Sequence, residues 1–462
     1  METGSSIVKN VEELKTLFRD REEVAMDLVR IVGSALAAVE PRGLVRRKVS
    51  VRGDELHVGG ESVVLSEFRE VWIISVGKAA PGMARGILEA LGRPIEKCIV
   101  IAPAGSDISI IRGEAEVYLA SHPIPDGSGL RASARLLEEL DRVSRETLII
   151  FLLSGGSSAL LPAPAEGLTL EDEAEVTGML MKSGATIEEL NTVRKHISSI
   201  KGGLLARAMV PARVLSLILS DVPGDRLDVV GSGPTLPDPS TFREAYQVLV
   251  RRNVWDGAPE RVKKRIEDGL AGLVEETPKP GDPAFERVTN ILIGGVGDAC
   301  EAAAQAARGL GYNAEILARS FEGEAGSLGL LMGSMALEVE GRPGRLYVLG
   351  GESTVRVKGE GRGGRNQELA LAALTRLGRG CRSIVAAFGT DGVDGPTDAA
   401  GAVASSEQAQ IARDLSLNPQ DYLERNDSYT FFKKVGGHIF TGPTGTNVGD
   451  IVLVLSPGQA KA

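Results

Sequence analysis

Short, uniformly apolar runs alternate with longer segments of helical periodicity along this chain. In the first part of the chain the apolar runs predict strands over 71–76, 98–102, 116–119, 148–153 and 214–219. A second series of predicted strands covers 289–293, 313–317, 345–349, 384–388 and 451–455. Strands that are apolar on both faces and separated by helices are typical of a parallel sheet covered by helices. The pattern therefore predicts an α/β fold.

A proline-rich stretch separates the two series of strands. Residues 277–288 read TPKPGDPAFERV, with three prolines and little periodicity, which is typical of a linker. We therefore predict two α/β domains, 1–285 and 286–462, each a mostly parallel sheet flanked by helices. The residues before Pro41 predict a long, partly amphipathic helix whose role is packing.

Charge and composition exclude whole classes of function. Lys and Arg number 52 against 62 Asp and Glu, a net charge of −10, which is the wrong sign for binding nucleic acid or anionic membrane. The hydrophobic share of 43% excludes a disordered chain. Three cysteines without CxxC spacing indicate a reducing compartment. With no signal peptide and no run long enough to span a bilayer, we expect a cytoplasmic protein.

Glycine is over-represented, with 57 residues among 462, and much of the excess follows predicted strands. Glycine lets the backbone bend sharply or come close to a ligand. Ligands of α/β sheets bind beyond the carboxyl ends of the strands. The loops that follow the strands are therefore where we expect the chemistry.

Three such loops belong to the first series. Lys78 follows Gly77 at the end of the strand 71–76; its ammonium either meets an anion there or reaches solvent at the rim of the sheet. Asp221 follows the strand 214–219 in SDVPGD. After the strand 148–153, a glycine-serine run opens a helical segment, where free N–H groups suit a phosphate or carboxylate, with serine capping as the alternative. Its members are Gly155, Gly156, Ser157 and Ser158.

Two loops of the second series carry charges. Glu352 lies in GGEST, and Arg365 and Asn366 lie in GRGGRNQE just before a predicted helix. A guanidinium beside free backbone N–H groups suits phosphoryl oxygens. The loop GTDGVDGPTD contains Asp391 and Asp394, whose oxygens suit Mg²⁺; a series of Asp-Gly turns is the alternative.

Another glycine motif nearly matches the dinucleotide-binding fingerprint. Gly295 and Gly297 follow a predicted strand, and Glu315 lies 20 residues beyond Gly295, but Cys300 replaces the final glycine or alanine. We favour a tight turn over a nicotinamide cofactor site. The chain has no Walker A motif, and its four histidines show no zinc-binding spacing.

The motifs together resemble those of one family. They are SVGKAAPGMA, LLSGGSSALL, ELNTVRKHISSIKGGLLA, SDVPGDRLDVVGSGPT, GGESTV, GRGGRNQELAL, GTDGVDGPTDAAGA and GPTGTNVGDI. In order and spacing they resemble the glycerate 2-kinases of the MOFRL family, a group often labelled hydroxypyruvate reductase. The resemblance implies ATP-dependent phosphorylation of D-glycerate at its 2-hydroxyl, and an active site in a cleft between a Rossmann-like N-terminal domain and a MOFRL α/β domain. It places the cleft lysine and arginine of the family at Lys78 and Arg365.

On this basis we assign Lys78 and Arg365 to the transferring phosphoryl group. The Gly155–Ser158 loop would hold a nucleotide phosphate or the glycerate carboxylate, Glu352 and Asn366 would contact the nucleotide, and Asp391 and Asp394 would hold Mg²⁺. The sequence does not choose a base among Asp221, Glu352 and Asp394; we group Asp221 with the catalytic residues.

The expected ligands are D-glycerate and ATP, without nucleic acid or membrane, and the assembly considered is a homodimer. Two alternatives remain at this point. One is an NAD(P)H-dependent hydroxypyruvate reductase, and the other is a metabolite-binding protein without catalysis.

Overall fold

The computed structural model describes residues 7–378 and 380–458, which form two compact units. The first unit holds Leu44–Ile293, and the second joins the residues up to Gly43 to those from Gly294 onward. No helix in the described part of the chain is long and apolar enough to cross a membrane.

The strands of both units are numbered along the chain. They are β1 (Val49–Arg52), β2 (Glu55–Val58), β3 (Glu61–Val64), β4 (Glu70–Val76), β5 (Lys97–Pro103), β6 (Glu116–Ala120), β7 (Thr147–Ser154), β8 (Arg213–Leu219), β9 (Val288–Gly294), β10 (Asn313–Glu324), β11 (Arg345–Thr354), β12 (Ile384–Gly389), β13 (Gly401–Ala404), β14 (His438–Ile439) and β15 (Asp450–Ser456).

The α-helices are numbered in the same way. They are α1 (Val11–Leu17), α2 (Glu22–Ala38), α3 (Pro41–Lys48), α4 (Ala80–Leu91), α5 (Gly127–Leu140), α6 (Ser157–Leu160), α7 (Leu170–Lys182), α8 (Ile187–His196), α9 (Leu204–Ala208), α10 (Phe242–Arg251), α11 (Glu260–Leu270), α12 (Val296–Gly309), α13 (Ala325–Val339), α14 (Arg365–Leu374), α15 (Ser406–Asp414), α16 (Pro419–Glu424) and α17 (Ser428–Val435).

The main sheet of the first unit has the strand order β6-β5-β4-β7-β8-β9. The pairs from β6 through β8 are parallel, and every residue of β7 is buried. If these six strands are renumbered 1 to 6 along the chain, the order is 3-2-1-4-5-6, which is the Rossmann order. Successive strands are added on one side from β4 to β6 and on the other side from β7 onward, so the order of strands reverses between β4 and β7. The predicted α/β class is confirmed, and the reversal marks where a ligand is expected. The first three strands of this unit form a separate small antiparallel sheet, with the order β1-β2-β3.

The sheet of the second unit is mixed. Its order is β10-β11-β15-β12-β13-β14, and only the β10–β11 pair within the described residues of this sheet is parallel. The prediction of a mostly parallel second sheet is therefore wrong. Strands β12 and β15 are buried along their whole length, so their sequences are as uniformly apolar as those of parallel strands, and periodicity cannot reveal their direction.

The compact units differ from the predicted domains 1–285 and 286–462. Strand β9, predicted to open the second domain, forms the edge of the first sheet beside β8. The proline-rich stretch before it is packed rather than loose, because Thr277 is only 4% exposed and donates to Asp238 Oδ2 at 2.9 Å. The helix predicted before Pro41 is present as α2, and it packs against α12 of the second unit.

Candidate active site

The carboxyl ends of β4 and β7 are tied together by hydrogen bonds at the point where the strand order reverses. The Lys78 N–H donates to the Gly155 carbonyl at 2.9 Å, and the Ala79 N–H donates to Ser154 Oγ at 3.1 Å. Gly77 has a φ of +127°, and a Cβ there would overlap Ser154. Because only glycine fits this crossing, the chain turns sharply and delivers Lys78 beside the loop after β7.

Two side chains meet the backbone of that loop besides Lys78. A Cβ at Gly155 would overlap the Asp221 carboxylate. A Cβ at Gly156, whose φ is +84°, would lie 3.1 Å from His122 Nε2 and 3.3 Å from Lys78 Cγ. The structure therefore brings the predicted residues Lys78 and Asp221 to one small region, packed around glycine backbone.

His122 belongs to this region, although the sequence motifs did not single it out. Burial lowers its pKa, and the charge of Lys78 lowers it further, so the imidazole is neutral at physiological pH. The available signal was its position just after the predicted strand 116–119, which is shared by many loop residues without function.

The two serines of the loop lie in a short element. The predicted helical segment is the one-turn helix α6, which has no side-chain cap, so its dipole is weak. Ser158 Oγ lies 3.0 Å from Ser232 Oγ, which in turn donates to Asn191 Oδ1 at 3.0 Å. The Ser157 hydroxyl is buried without a partner in the described structure. Anion binding by this loop remains a prediction, and its support is now the neighbouring Lys78.

In the second unit, Arg365 is held by two carboxylates. Its Nε lies 2.8 Å from Asp450 Oδ2, its Nη2 donates to Asp450 Oδ1 at 3.0 Å, and its Nη1 is paired with Glu352. Burial disfavours the charge of Arg365, but Asp450 and Glu352 outweigh it and raise its pKa. The bidentate contact fixes the plane of the guanidinium at the start of α14.

Asp450 is a site residue that the sequence analysis missed. It is fully buried at the first position of β15, and burial raises its pKa to about 6 although Arg365 opposes the shift. Its sequence signal was a single acidic residue directly before the apolar run 451–455, at the end of the last motif.

Asp394, one of the two predicted metal ligands, accepts hydrogen bonds from the start of α14. Its Oδ1 accepts the Asn366 N–H at 3.0 Å, and its Oδ2 accepts the Gln367 N–H at 2.9 Å and Gln367 Nε2 at 3.0 Å. These N–H groups are among those that a helix start leaves unpaired. Gly364 permits the approach, since a Cβ there would overlap the Asp394 carboxyl group. Asp394 therefore caps α14, and its two oxygens are already occupied.

The carboxylates nearest to Gly389 are the other candidates for holding a metal ion. Among the residues described, no group of three or more His, Cys, Asp or Glu side chains is arranged to hold a metal ion. A Cβ at Gly389 would lie 3.1 Å from Asp391 Oδ1 and 3.6 Å from Asp450 Oδ1. Mg²⁺ commonly binds one or two carboxylates together with substrate phosphates and water. Asp391 and Asp394 each accept backbone N–H groups, and metal binding by either residue remains a prediction.

Glu352 and Asn366 both contact other site residues. Glu352 is paired with Arg365, and Asn366 Nδ2 donates to Asp450 Oδ1 at 3.0 Å and to Asp394 Oδ1 at 3.3 Å. The Asn366 Oδ1 atom is buried without a partner in the part of the chain described. A role of these two residues in nucleotide binding remains a prediction.

The glycine motif at the start of α12 is a packed turn. The Gly295 N–H donates to Asp298 Oδ2 at 3.1 Å, and a Cβ at Gly350 would lie 2.6 Å from Cys300 Sγ. Glu315, the residue expected to bind a ribose in a dinucleotide site, is paired with Arg345. These contacts support the interpretation as a tight turn.

Comparison with known proteins identifies relatives over almost the whole chain. Residues 27–267 match the domain of unknown function DUF4147, and residues 345–450 match the MOFRL family. The chain is 41% identical to a glycerate 2-kinase from Pyrococcus horikoshii, covering 94% of this chain and 98% of the relative. It is 40% identical to a D-glycerate 2-kinase from Thermotoga maritima, covering 94% and 99%. The crystal structure of glycerate kinase from Thermotoga maritima matches with a TM-score of 0.81 and 39% identity, covering 94% of this chain and all of that one.

Proposed function

This chain belongs to the glycerate 2-kinase family, and from that premise we propose that it transfers the γ-phosphoryl group of ATP to the 2-hydroxyl of D-glycerate, giving 2-phospho-D-glycerate and ADP. The observation that carries the proposal is the grouping of Lys78, Asp221 and the Gly155–Gly156 backbone where the strand order of a Rossmann-type sheet reverses. Ligands of such sheets bind at that place.

Positioning and charge stabilisation supply most of the catalysis in phosphoryl transfer. We assign the Lys78 ammonium to the oxygens of the transferring phosphoryl group, since it is delivered by the β4–β7 crossing and sits beside glycine backbone. We assign Arg365 to the same group, because Asp450 and Glu352 fix its orientation while its side chain stays 30% exposed.

Among the three candidate bases, the geometry favours Asp221. Asp221 lies against the Gly155 backbone in the group that contains Lys78. We therefore propose that Asp221 accepts the proton of the 2-hydroxyl.

Asp391 is the residue proposed to bind Mg²⁺. Its Oδ1 lies 3.1 Å from the position that a Cβ of Gly389 would take, and it accepts the Val393 N–H at 3.2 Å. When bound, Mg²⁺ neutralises charge on the nucleotide phosphates.

The proposed reaction is tested with two parallel assays on the purified protein. D-glycerate, ATP and Mg²⁺ are expected to give ADP, with ³¹P NMR showing a phosphate ester at the 2-position. Hydroxypyruvate with NADH or NADPH is expected to give no loss of the reduced cofactor. Cofactor oxidation without ADP formation would establish the reductase instead, and a 3-phosphate product would refute the assignment of the 2-hydroxyl.

We also propose that the enzyme is a cytoplasmic homodimer. The three cysteines lie among the described residues as buried free thiols, which suits a reducing compartment. Light scattering coupled to size-exclusion chromatography measures the assembly directly.

A further inference from the structure

The first unit contains a pocket of about 490 Å³ beside the loop after β7. Gly156 and Ser158 line one part of it, and Glu173, Arg194 and Lys201 line another. Helices α7 and α8 carry Glu173 and Arg194. The pocket therefore shares Gly156 with the group around Lys78, and the proposed mechanism assigns no role to the charged residues of its wall.

Arg194 is a partly buried cation in this wall. In the described structure its guanidinium makes no hydrogen bond or salt bridge, and Glu173 is the charged group that acts on it. Burial lowers its pKa despite Glu173. Removing a guanidinium from water without pairing it is costly, and such unfavourable charges are found where a ligand supplies the partner.

Glu173 supplies a complementary feature. It is 6% exposed, and its Oε1 accepts from Lys201 Nζ at 2.6 Å, with Lys201 only 2% exposed. The other oxygen, Oε2, is buried and has no partner among the described residues. The wall thus combines a cation that lacks an anion with an acceptor that lacks a hydroxyl donor.

Helix α8 connects this wall to the loop after β7. Asn191, one turn before Arg194 and on the same side of the helix, accepts from Ser232, which contacts Ser158. The contacts hold α8 against the residues that follow Gly156. A ligand anchored at Arg194 is consequently in the same pocket as the loop beside Lys78.

We propose that this pocket is the subsite for the phosphoryl acceptor, in which Arg194 pairs with the glycerate carboxylate and Glu173 Oε2 accepts a hydrogen bond from one of its hydroxyls. The inference rests on the proposed function, which it deepens. A small hydroxy-carboxylate carries both groups that the wall lacks, and a bidentate guanidinium–carboxylate pair fixes its orientation.

The test is the variant Arg194→Gln, analysed by steady-state kinetics in both substrates. The KM for D-glycerate is expected to rise about 30-fold, because one charge-assisted hydrogen bond contributes about that factor to binding. The KM for ATP is expected to stay within about twofold of the wild-type value. Because Arg194 loses no protein partner, the Tm without ligand is expected to stay equal or rise. Arg194→Lys restores part of the affinity. The control Arg261→Gln, an exposed arginine on α11 that lies 3.5 Å from Asp172, changes neither KM.

Other outcomes overturn the proposal. A rise in the KM for ATP with an unchanged KM for D-glycerate would make the pocket a nucleotide site. An unchanged pair of KM values with a Tm lowered by several degrees would make Arg194 structural.

Calorimetry separates this inference from the proposed function, because it needs no turnover. Wild-type protein is expected to bind D-glycerate about 30-fold more tightly than the neutral amide of D-glycerate, and Arg194→Gln is expected to lose that preference. If the wild type shows no kinase activity but keeps this preference, the reaction is wrong and the subsite stands. Equal binding of acid and amide by the wild type refutes the subsite.

Discussion

At the scale of single residues, the two cations assigned to the phosphoryl group are held in different ways. Arg365 is fixed by side chains, above all by the buried carboxylate of Asp450. Lys78 is delivered by backbone hydrogen bonds between two strand ends. Substitutions are therefore expected to separate loss of charge from loss of positioning.

Replacing Lys78 with methionine keeps the length of the side chain and removes its charge. We expect kcat to fall by about 10³-fold, the range observed for a donor that stabilises transition-state charge, with little change in Tm. Stopped or coupled assays of ADP formation measure the loss. Lys264→Met is the control, because Lys264 is an exposed lysine paired only one helical turn away with Asp268. A Lys78→Met enzyme with near-normal kcat would remove Lys78 from the mechanism.

Asp450 is expected to set the acid side of the pH profile. Its pKa is raised by burial to about 6, so it is ionised above that pH and protonated below it. Protonation removes the charge that orients Arg365, and kcat should fall below about pH 6. Asp450→Asn is expected to lower kcat and flatten this limb between pH 5 and 8.

Asp414→Asn is the matched control, because Asp414 is an exposed residue at the end of α15. This variant should keep the fall in kcat below about pH 6. An unchanged acid limb in Asp450→Asn would assign the titration to another group.

At the scale of elements, the site is made by loops that approach each other where glycine leaves room. The loop after β7 meets Asp221 at Gly155, and the loop before α14 meets Asp394 at Gly364. Both approaches are close enough that any Cβ would displace a carboxylate. The glycines are thus required by packing against site residues.

Gly155→Ala tests the first of these approaches. The added methyl group would overlap the Asp221 carboxylate, so we expect kcat to drop about 100-fold as Asp221 moves, with the protein still folded. Gly309→Ala is the control, since a Cβ there meets nothing within 4 Å and a helical alanine is neutral or stabilising by up to about 1 kcal/mol. Kinetics and thermal melts of the two variants make the comparison, and full activity in Gly155→Ala would argue against Asp221 as the base.

The pair Asp394→Asn and Asp391→Asn distinguishes a helix cap from a metal ligand. In Asp394→Asn, loss of the cap should lower the free energy of unfolding by about 1–3 kcal/mol. The Mg²⁺ concentration for half-maximal activity should stay unchanged in this variant. Asp391→Asn should keep Tm and raise that concentration about tenfold. Denaturant melts and Mg²⁺ titrations measure both. A higher Mg²⁺ requirement in Asp394→Asn would restore the original assignment of Asp394 as a metal ligand.

At the scale of the whole molecule, the second unit is discontinuous in sequence. Helix α2 buries Leu28, Ile31 and Val32 at 1%, 0% and 1% exposure and packs on α12. Tyr312 Oη donates to Asp27 Oδ2 at 2.9 Å. Residues 7–43 therefore belong to the same unit as the described residues from Gly294 onward.

Fragments test this arrangement. Residues 44–293 alone are expected to melt cooperatively, because they contain their own sheet and core. Residues 294–462 alone are expected to lack a cooperative transition, since each apolar side chain of α2 removed from a core costs about 2–5 kcal/mol. Joining 1–43 to 294–462 should restore the transition, as measured by circular dichroism. Equal melts of 294–462 with and without 1–43 would show that α2 is dispensable.

Most strands and several site residues were predictable because their signals are local. The apolar runs over 71–76 and 148–153 correspond to β4 and β7, and Lys78 and Asp221 follow their strands as expected. Asp450 and Arg194 lie within quoted motifs but were given no role, and His122 lies outside the motifs, because the local sequence does not show which groups these side chains meet. Asp450 acquires its importance from Arg365, 85 residues away in the sequence. His122 and Arg194 acquire theirs from the other residues that line the same pocket.

The sequence by itself determined the α/β class, the strands, the glycine-rich loops and the family, since each depends on residue type and on spacing along the chain. Only the tertiary structure decided that the second sheet is mixed, that α2 belongs with the C-terminal residues and that Asp394 caps a helix. The physical reason is that burial makes a strand apolar whichever way it runs, and a carboxylate is a ligand, cap or base only through the groups that folding brings to it.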